Sequence, residues 1–185
     1  VYDKEVYLGY QLKQIKDRAF LDDDYIPSLF PGCRQGTIPT AFGCEEIWSG
    51  EHFWVRPMVK EAKDVYKLEK PDFTKKGVAK YMLDEIKYFR KETKGQLPIH
   101  ICDMQGPMDL ASLIWNYEDF LMAMYTDPQE VHYLLNLVTE CFIEYIKLQL
   151  EAAEGDLIPV HCMQWRWMPL SAGMCFSEDV LPAVS

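Results

Sequence analysis

Basic residues are scarce in this chain: 19 Lys and Arg stand against 29 Asp and Glu, leaving a net charge of -10. A broad nucleic-acid footprint needs clustered cations on the phosphates, so that class of partner is excluded. The cations that exist concentrate in Lys60–Lys94, interleaved with acids as on a solvated helix face. No apolar run approaches the ~18–20 residues of a membrane span, and no stretch has the charged-then-apolar order of a signal peptide. The 6 cysteines are widely spread without a Cys-x-x-Cys pair, which argues against a disulfide framework and for a reducing cytoplasm. No short-period repeat is evident.

What is present is a chain of 185 residues, 49% hydrophobic and 26% charged, enough for one domain with a real core. It opens on Val1 rather than Met and stops within Ser177–Ser185, which reads as the start of another element. The expectation is a single domain, 1–185, that is a fragment of a longer protein.

Helix-forming residues with apolar anchors predict a first helix over Lys4–Phe20, followed by an extended Tyr25-Ile26-Pro27. Pro31–Pro39 reads as a loop, and the aromatic stretch Trp48–Trp54 as irregular or a short strand. Pro71–Lys94 reads as a second helix. Pro98–Asp103 reads as a buried strand bounded by Pro98 and Gly106-Pro107, and Asp109–Tyr125 as one helix. Asp127-Pro128-Gln129-Glu130 has an Asp cap, Pro at the first position and an acid behind it, opening a long helix that Gly155 closes. Leu157–Met163 is a second buried strand. Strands alternating with helices predict right-handed βαβ units and a parallel sheet: an α/β fold. The order fits part of a (β/α)8 TIM barrel, and since a complete one takes ~200 residues or more, about the N-terminal half is expected. Half a barrel leaves open parallel edges, a hazard that something must cover.

Side chains able to do chemistry crowd the C-terminal ends of both strands, where parallel α/β proteins bind ligands. They are His100, Cys102, Asp103 and Gln105 on the first, and His161, Cys162, Gln164 and Arg166 on the second. Alternation along a strand puts His100 and Cys102 on one face, as a metal pair or as interior lining with a hydrogen-bonded imidazole. Asp103 and Gln105 either contact a substrate or satisfy backbone groups at the Gly-Pro corner. Trp165-Arg166-Trp167 reads as a stacking platform or a loop wedge, and Arg34 with Gln35 as an anion grip.

The corner Gly106-Pro-Met-Asp-Leu-Ala-Ser112, the helix start Met124-Tyr-Thr-Asp-Pro-Gln129 and the helix end Gln149-Leu-Glu-Ala-Ala-Glu-Gly155 carry a resemblance. With Ala41-Phe-Gly-Cys-Glu45 and Phe176-Ser-Glu-Asp179, in this order, they resemble the uroporphyrinogen decarboxylase superfamily over about Asp22–Ser185. The resemblance implies a TIM barrel with its site at the mouth, a homodimer, and one of two chemistries. The decarboxylases act without cofactor; their catalytic Asp matches Asp24 in Asp24-Tyr-Ile-Pro27, which would stabilise a protonated pyrrole. Their Arg-Gln-Ala-Gly-Arg-Tyr motif does not occur in this sequence, and Leu113 stands where they place a Tyr. The methyltransferases act with a corrinoid protein and a zinc-activated thiol or methyl donor. Their His-x-Cys…Cys zinc ligands lie in the second half of the barrel, so here the zinc ligands are expected downstream. His100-Ile-Cys102 imitates that motif, yet its neighbours align with the Gly-Pro corner, so no metal ligand is assigned. The expectation is methyl transfer, with Asp24 as catalytic residue and Asp103, Gln105, His161, Gln164, Arg166 and Arg34 binding a small-molecule substrate. Decarboxylation and a non-catalytic corrinoid-binding barrel are the alternatives.

Overall fold

The computed structural model describes residues 3–32, 36–50, 52–75, 77–160, 169, 171, 173–174 and 177–180. It is a mixed α/β fold built on a short parallel sheet. Leu29 pairs with Ile99, and β3 (Ile99–His100) pairs with β4 (Leu157–Ile158) in the register Ile99↔Leu157 and His100↔Ile158. The His100 amide donates to the Leu29 carbonyl at 2.8 Å, and the Ile101 amide to that of Ile158 at 3.1 Å. Neighbours in the sheet are thus parallel and follow one another in the chain, so each crossover carries helices.

Before the sheet comes α1 (Lys4–Arg18), capped by Asp3, whose carboxylate accepts from the amides of Glu5 and Val6. The first crossover holds α2 (Thr37–Phe42), the antiparallel hairpin β1 (Glu45–Ser49) and β2 (His52–Arg56), a 3-10 turn (Ala62–Lys67) and α3 (Gly77–Glu92). The second holds α4 (Pro107–Ile114), α5 (Tyr117–Thr126) and α6 (Pro128–Ala152). The core lies where α3, α4 and α6 cover the sheet: Met82, Ile86, Phe89, Ile99, Ile101, Leu110, Phe120, Leu134 and Tyr145 are buried there. The packing of α6 follows from its spacing, with Val131, Leu134, Val138, Phe142 and Tyr145 recurring every three or four positions on its buried face. Among the described residues no helix is long and apolar enough to cross a membrane.

Several expectations shift. The extended segment pairs at Leu29 rather than at Tyr25-Ile26-Pro27; Ser28, Leu29 and Phe30 are the buried run, and Pro27 has no amide to donate. The Gly- and Pro-rich stretch already becomes α2 at Thr37, because Pro39 falls in a first turn, where its missing N–H costs nothing. Gly36 precedes α2 where an added Cβ would lie 2.5 Å from Val55 Cγ1. Trp48–Trp54 belongs to the hairpin, with Trp48 and Phe53 in contact across it. The second helix starts at Gly77, behind turns over the stretch before it.

The helix expected over Asp109–Tyr125 is broken in two. Asn116 leaves the helical conformation and accepts the amides of Glu118 and Asp119, opening α5, while the Ile114 carbonyl is taken by the Met58 and Val59 amides. The Asp127 side chain makes no cap bond at the start of α6. It accepts from Thr126 Oγ1 at 2.6 Å, and Pro128 and the first-turn Glu130 mark that terminus.

Candidate functional site

The strand expected over Pro98–Asp103 pairs only as far as Ile101, and the residues after it build the site. Beyond that point the backbone is held by α6. Gln149, fully buried, accepts the Cys102 amide at 2.8 Å through Oε1, standing in for a neighbouring strand. The Cys102 thiol turns to Tyr145 Oη (3.8 Å), which itself donates to the Ala79 carbonyl at 2.9 Å.

His100 turns elsewhere. Its ring stacks on Phe30 at 4.2 Å between centroids, with Nε2 2.9 Å from Ser28 Oγ and Nδ1 3.3 Å from the Val160 carbonyl. A carbonyl only accepts, so Nδ1 carries the proton and Nε2 accepts from the serine hydroxyl. Burial pushes the His100 pKa down to about 4, against a smaller upward effect of the Val160 carbonyl. The interior-lining reading therefore holds for His100. The shared face does not, because Cys102 lies past the end of the pairing and loses strand alternation. Among the described residues no three His, Cys, Asp or Glu side chains are grouped to hold a metal. Burial raises the thiols of Cys44 and Cys141 to about 11 and about 12, so neither is a thiolate nucleophile at neutral pH.

Asp103 and Gln105 bond to each other past the end of β3. Asp103 is 3% exposed, and its Oδ1 accepts from Gln105 Nε2 at 3.3 Å. Gln105 reaches onward into a cavity of about 540 Å³ that runs along α4. Its polar lining residues are Gln105, Asp109, Ser112, Asn116 and Asp179; its apolar ones include Trp54, Leu113 and Tyr117. No Lys or Arg lines it among the described residues.

Asp179 and Val180, which line this cavity, are latched to α4. The segment Ser177–Val180 lies against the start of α4, with the Gly106 amide on the Ser177 carbonyl at 2.7 Å. Glu178 accepts the amides of Met108 and Asp109 at 3.3 and 3.2 Å, filling the helix N-terminus with negative charge. Asp109 answers by accepting the amides of Asp179 and Val180, each at 2.8 Å. Gly106 is the residue that permits this: a Cβ there would sit 2.2 Å from the Glu178 carboxyl carbon. Burial raises the pKa of both carboxyls, against the amides that lower it, with further upward effects from neighbouring acids.

Asp24 is exposed and precedes Leu29, on the N-terminal side of the sheet, whereas Asp103 and Gln105 follow β3 on its C-terminal side. The structure does not bring these together. Arg34, His161, Gln164 and Arg166 lie outside the described residues, as do Cys162, Trp165 and Trp167. Sequence reasoning missed Trp54, Asp109, Asn116, Tyr117, Glu178 and Asp179. The signals were present for some: the carboxylates sit inside the Gly106–Ser112 and Phe176–Asp179 motifs, and Asn116 is followed by acids as an N-cap is.

Residues 36–164 match the family model described as uroporphyrinogen decarboxylase (URO-D). The chain belongs to that family. It is 30% identical over 130 residues to a uroporphyrinogen decarboxylase of Vibrio campbellii, a match covering 66% of this chain and 36% of that protein. A uroporphyrinogen decarboxylase of Xanthomonas axonopodis pv. citri is 29% identical over 128 residues, or 65% of this chain and 35% of that one. The matched region thus spans about a third of the length of these URO-D relatives. Among solved structures, a methyltransferase from Methanosarcina mazei superposes with a TM-score of 0.67 at 19% identity, covering 85% of this chain and 45% of that one. This URO-D family chain therefore shares that protein's fold.

Proposed function

We propose that this URO-D family chain is the N-terminal half of a (β/α)8 barrel, residues 1–185 forming one domain with the rest of that barrel. Its activity is methyl transfer with a corrinoid protein as partner. The reading rests on one observation: the cavity beside the β3 exit carries Asp109 and Asp179 and no Lys or Arg among the described residues. A porphyrinogen bearing many carboxylates would meet like charge there, and each such encounter is costly away from bulk water. A methyl donor or acceptor carries no such demand. The fold shared with a solved methyltransferase supports the same side.

In this reading Gln105 orients the small-molecule substrate through its carbonyl, while its amide is held by the buried Asp103. Arg34, His161, Gln164 and Arg166 keep their assignment as substrate-binding residues, and the exposed Asp24, at the opposite end of the sheet, has a share only under the decarboxylase alternative. The described residues do not fit a zinc ion, since both His100 nitrogens are engaged and Cys102 faces α6. Zinc ligands would come from other residues of the full-length protein, as the thiol chemistry of such transferases requires.

Methylcobalamin and a small thiol should react when the full-length protein is added, seen as bleaching of the methyl–cobalt absorbance. Incubation with uroporphyrinogen should leave its carboxylates intact. Loss of carboxylates without any methyl transfer would reverse the assignment.

A further inference from the structure

The cavity along α4 has a character that its place in the fold does not require. Asp109, Glu178 and Asp179 gather within it or at its edge, and among the described residues none of them makes an ion pair. Their hydrogen-bond partners are backbone amides and, for Asp179, the Ser177 hydroxyl at 2.8 Å. Such partners share a carboxylate's charge but do not cancel it. Burial raises the pKa of Asp109 and Glu178, and the neighbouring acids add a smaller upward effect.

The same cavity is lined by Trp54 on β2 and Tyr117 at the head of α5, 54% and 44% exposed. An aromatic face is negative at its centre and attracts a cation without the desolvation that a second carboxylate would demand. Carboxylates and aromatic rings in one lining, with no basic residue among the described ones, complement an alkylammonium group. The cavity's volume of about 540 Å³ is that of a small-molecule pocket. The net charge of -10 draws cations towards the protein as a whole.

We propose that this cavity binds a small organic ammonium ion, its charge facing Asp109 and Asp179 and its alkyl groups packed against Trp54 and Tyr117. The inference rests on the placement of the site proposed above and names the class of ligand it takes.

Choline and its uncharged carbon isostere, 3,3-dimethylbutan-1-ol, have the same shape and hydroxyl and differ in charge. Calorimetric titration of the full-length protein should show choline binding at least ~10-fold more tightly than the alcohol, a difference of about 1.4 kcal/mol. Asp179→Asn, at an exposed position, should remove most of that preference and leave the alcohol's affinity unchanged. Trp54→Ala should weaken both ligands, the cation by more. Circular dichroism that matches the parent protein checks that each variant is folded. Equal affinity for the two ligands, no binding of choline at millimolar concentration, or a preference that survives Asp179→Asn would overturn the proposal. Choline binding with no methylcobalamin turnover would sink the reaction and keep the ligand class; turnover without choline binding would do the reverse.

Discussion

His100 shows what burial does to one side chain. Held between Ser28 and Val160 and stacked on Phe30, it stays neutral in the folded chain down to about pH 4, while in the unfolded chain it takes a proton near 6.5. The unfolded state therefore binds more protons between those values, so the residue's contribution is full above pH 6.5 and is lost as pH falls towards 4. The amount at stake is on the order of 3 kcal/mol. Asp109 and Glu178, with raised pKa values, act with the opposite sign, so the useful quantity is a difference between variants. Urea unfolding of the parent and of His100→Asn from pH 4 to 7 should show the parent losing stability more steeply on acidification. Parallel curves would mean that the imidazole is not desolvated as described.

At the scale of elements, the way β3 ends depends on α6. Gln149 replaces a missing strand neighbour for the Cys102 amide, and its Nε2 lies 2.8 Å from Met104 Sδ. Gln149→Leu keeps the volume and strands that buried amide, so it should cost about 1–3 kcal/mol in denaturant unfolding. It should also speed hydrogen exchange at Cys102 relative to neighbouring core amides. An unchanged exchange rate would show that the amide has another acceptor. This arrangement also explains which elements could be read from the sequence. Periodicity located α3 and α6 because each buries one continuous face, whereas α1, read from its helix formers, buries Leu8 and Gln11 and leaves Val6 and Leu12 exposed. It ran straight through Trp115-Asn116, since Leu110, Leu113, Ile114, Leu121 and Met124 keep a helical spacing across a break made by backbone partners from Met58 and Val59. The strand expected to Asp103 was overextended because burial continues past Ile101 while the Cys102 amide leaves the sheet for Gln149. Gln149, by contrast, was visible as part of a motif whose physical purpose only its distant partner reveals.

Across the whole molecule, residues some seventy positions apart are joined by the exchange of carboxylates between Asp109 and Glu178. Gly106→Ala should push the Glu178 carboxyl off the α4 terminus and destabilise the chain by ~1–2 kcal/mol, while the same change in a Glu178→Ala background should cost much less. Additive losses would show that Gly106 is needed for its backbone alone. The parallel α/β order was legible from alternating patterns, and the polar residues gathered at the β3 exit were legible as a place to look. The cavity was not, because its walls come from the hairpin, α4, α5 and Ser177–Val180, which no local pattern connects. A final consequence concerns His100 again. For a parallel sheet to curl into a closed cylinder, the axial offsets between neighbouring strands must accumulate to a fixed shear. One imidazole bonded on either side, to the Ser28 hydroxyl and to the Val160 carbonyl, fixes two such offsets at once, so that an axial slip of either neighbour would break a buried hydrogen bond.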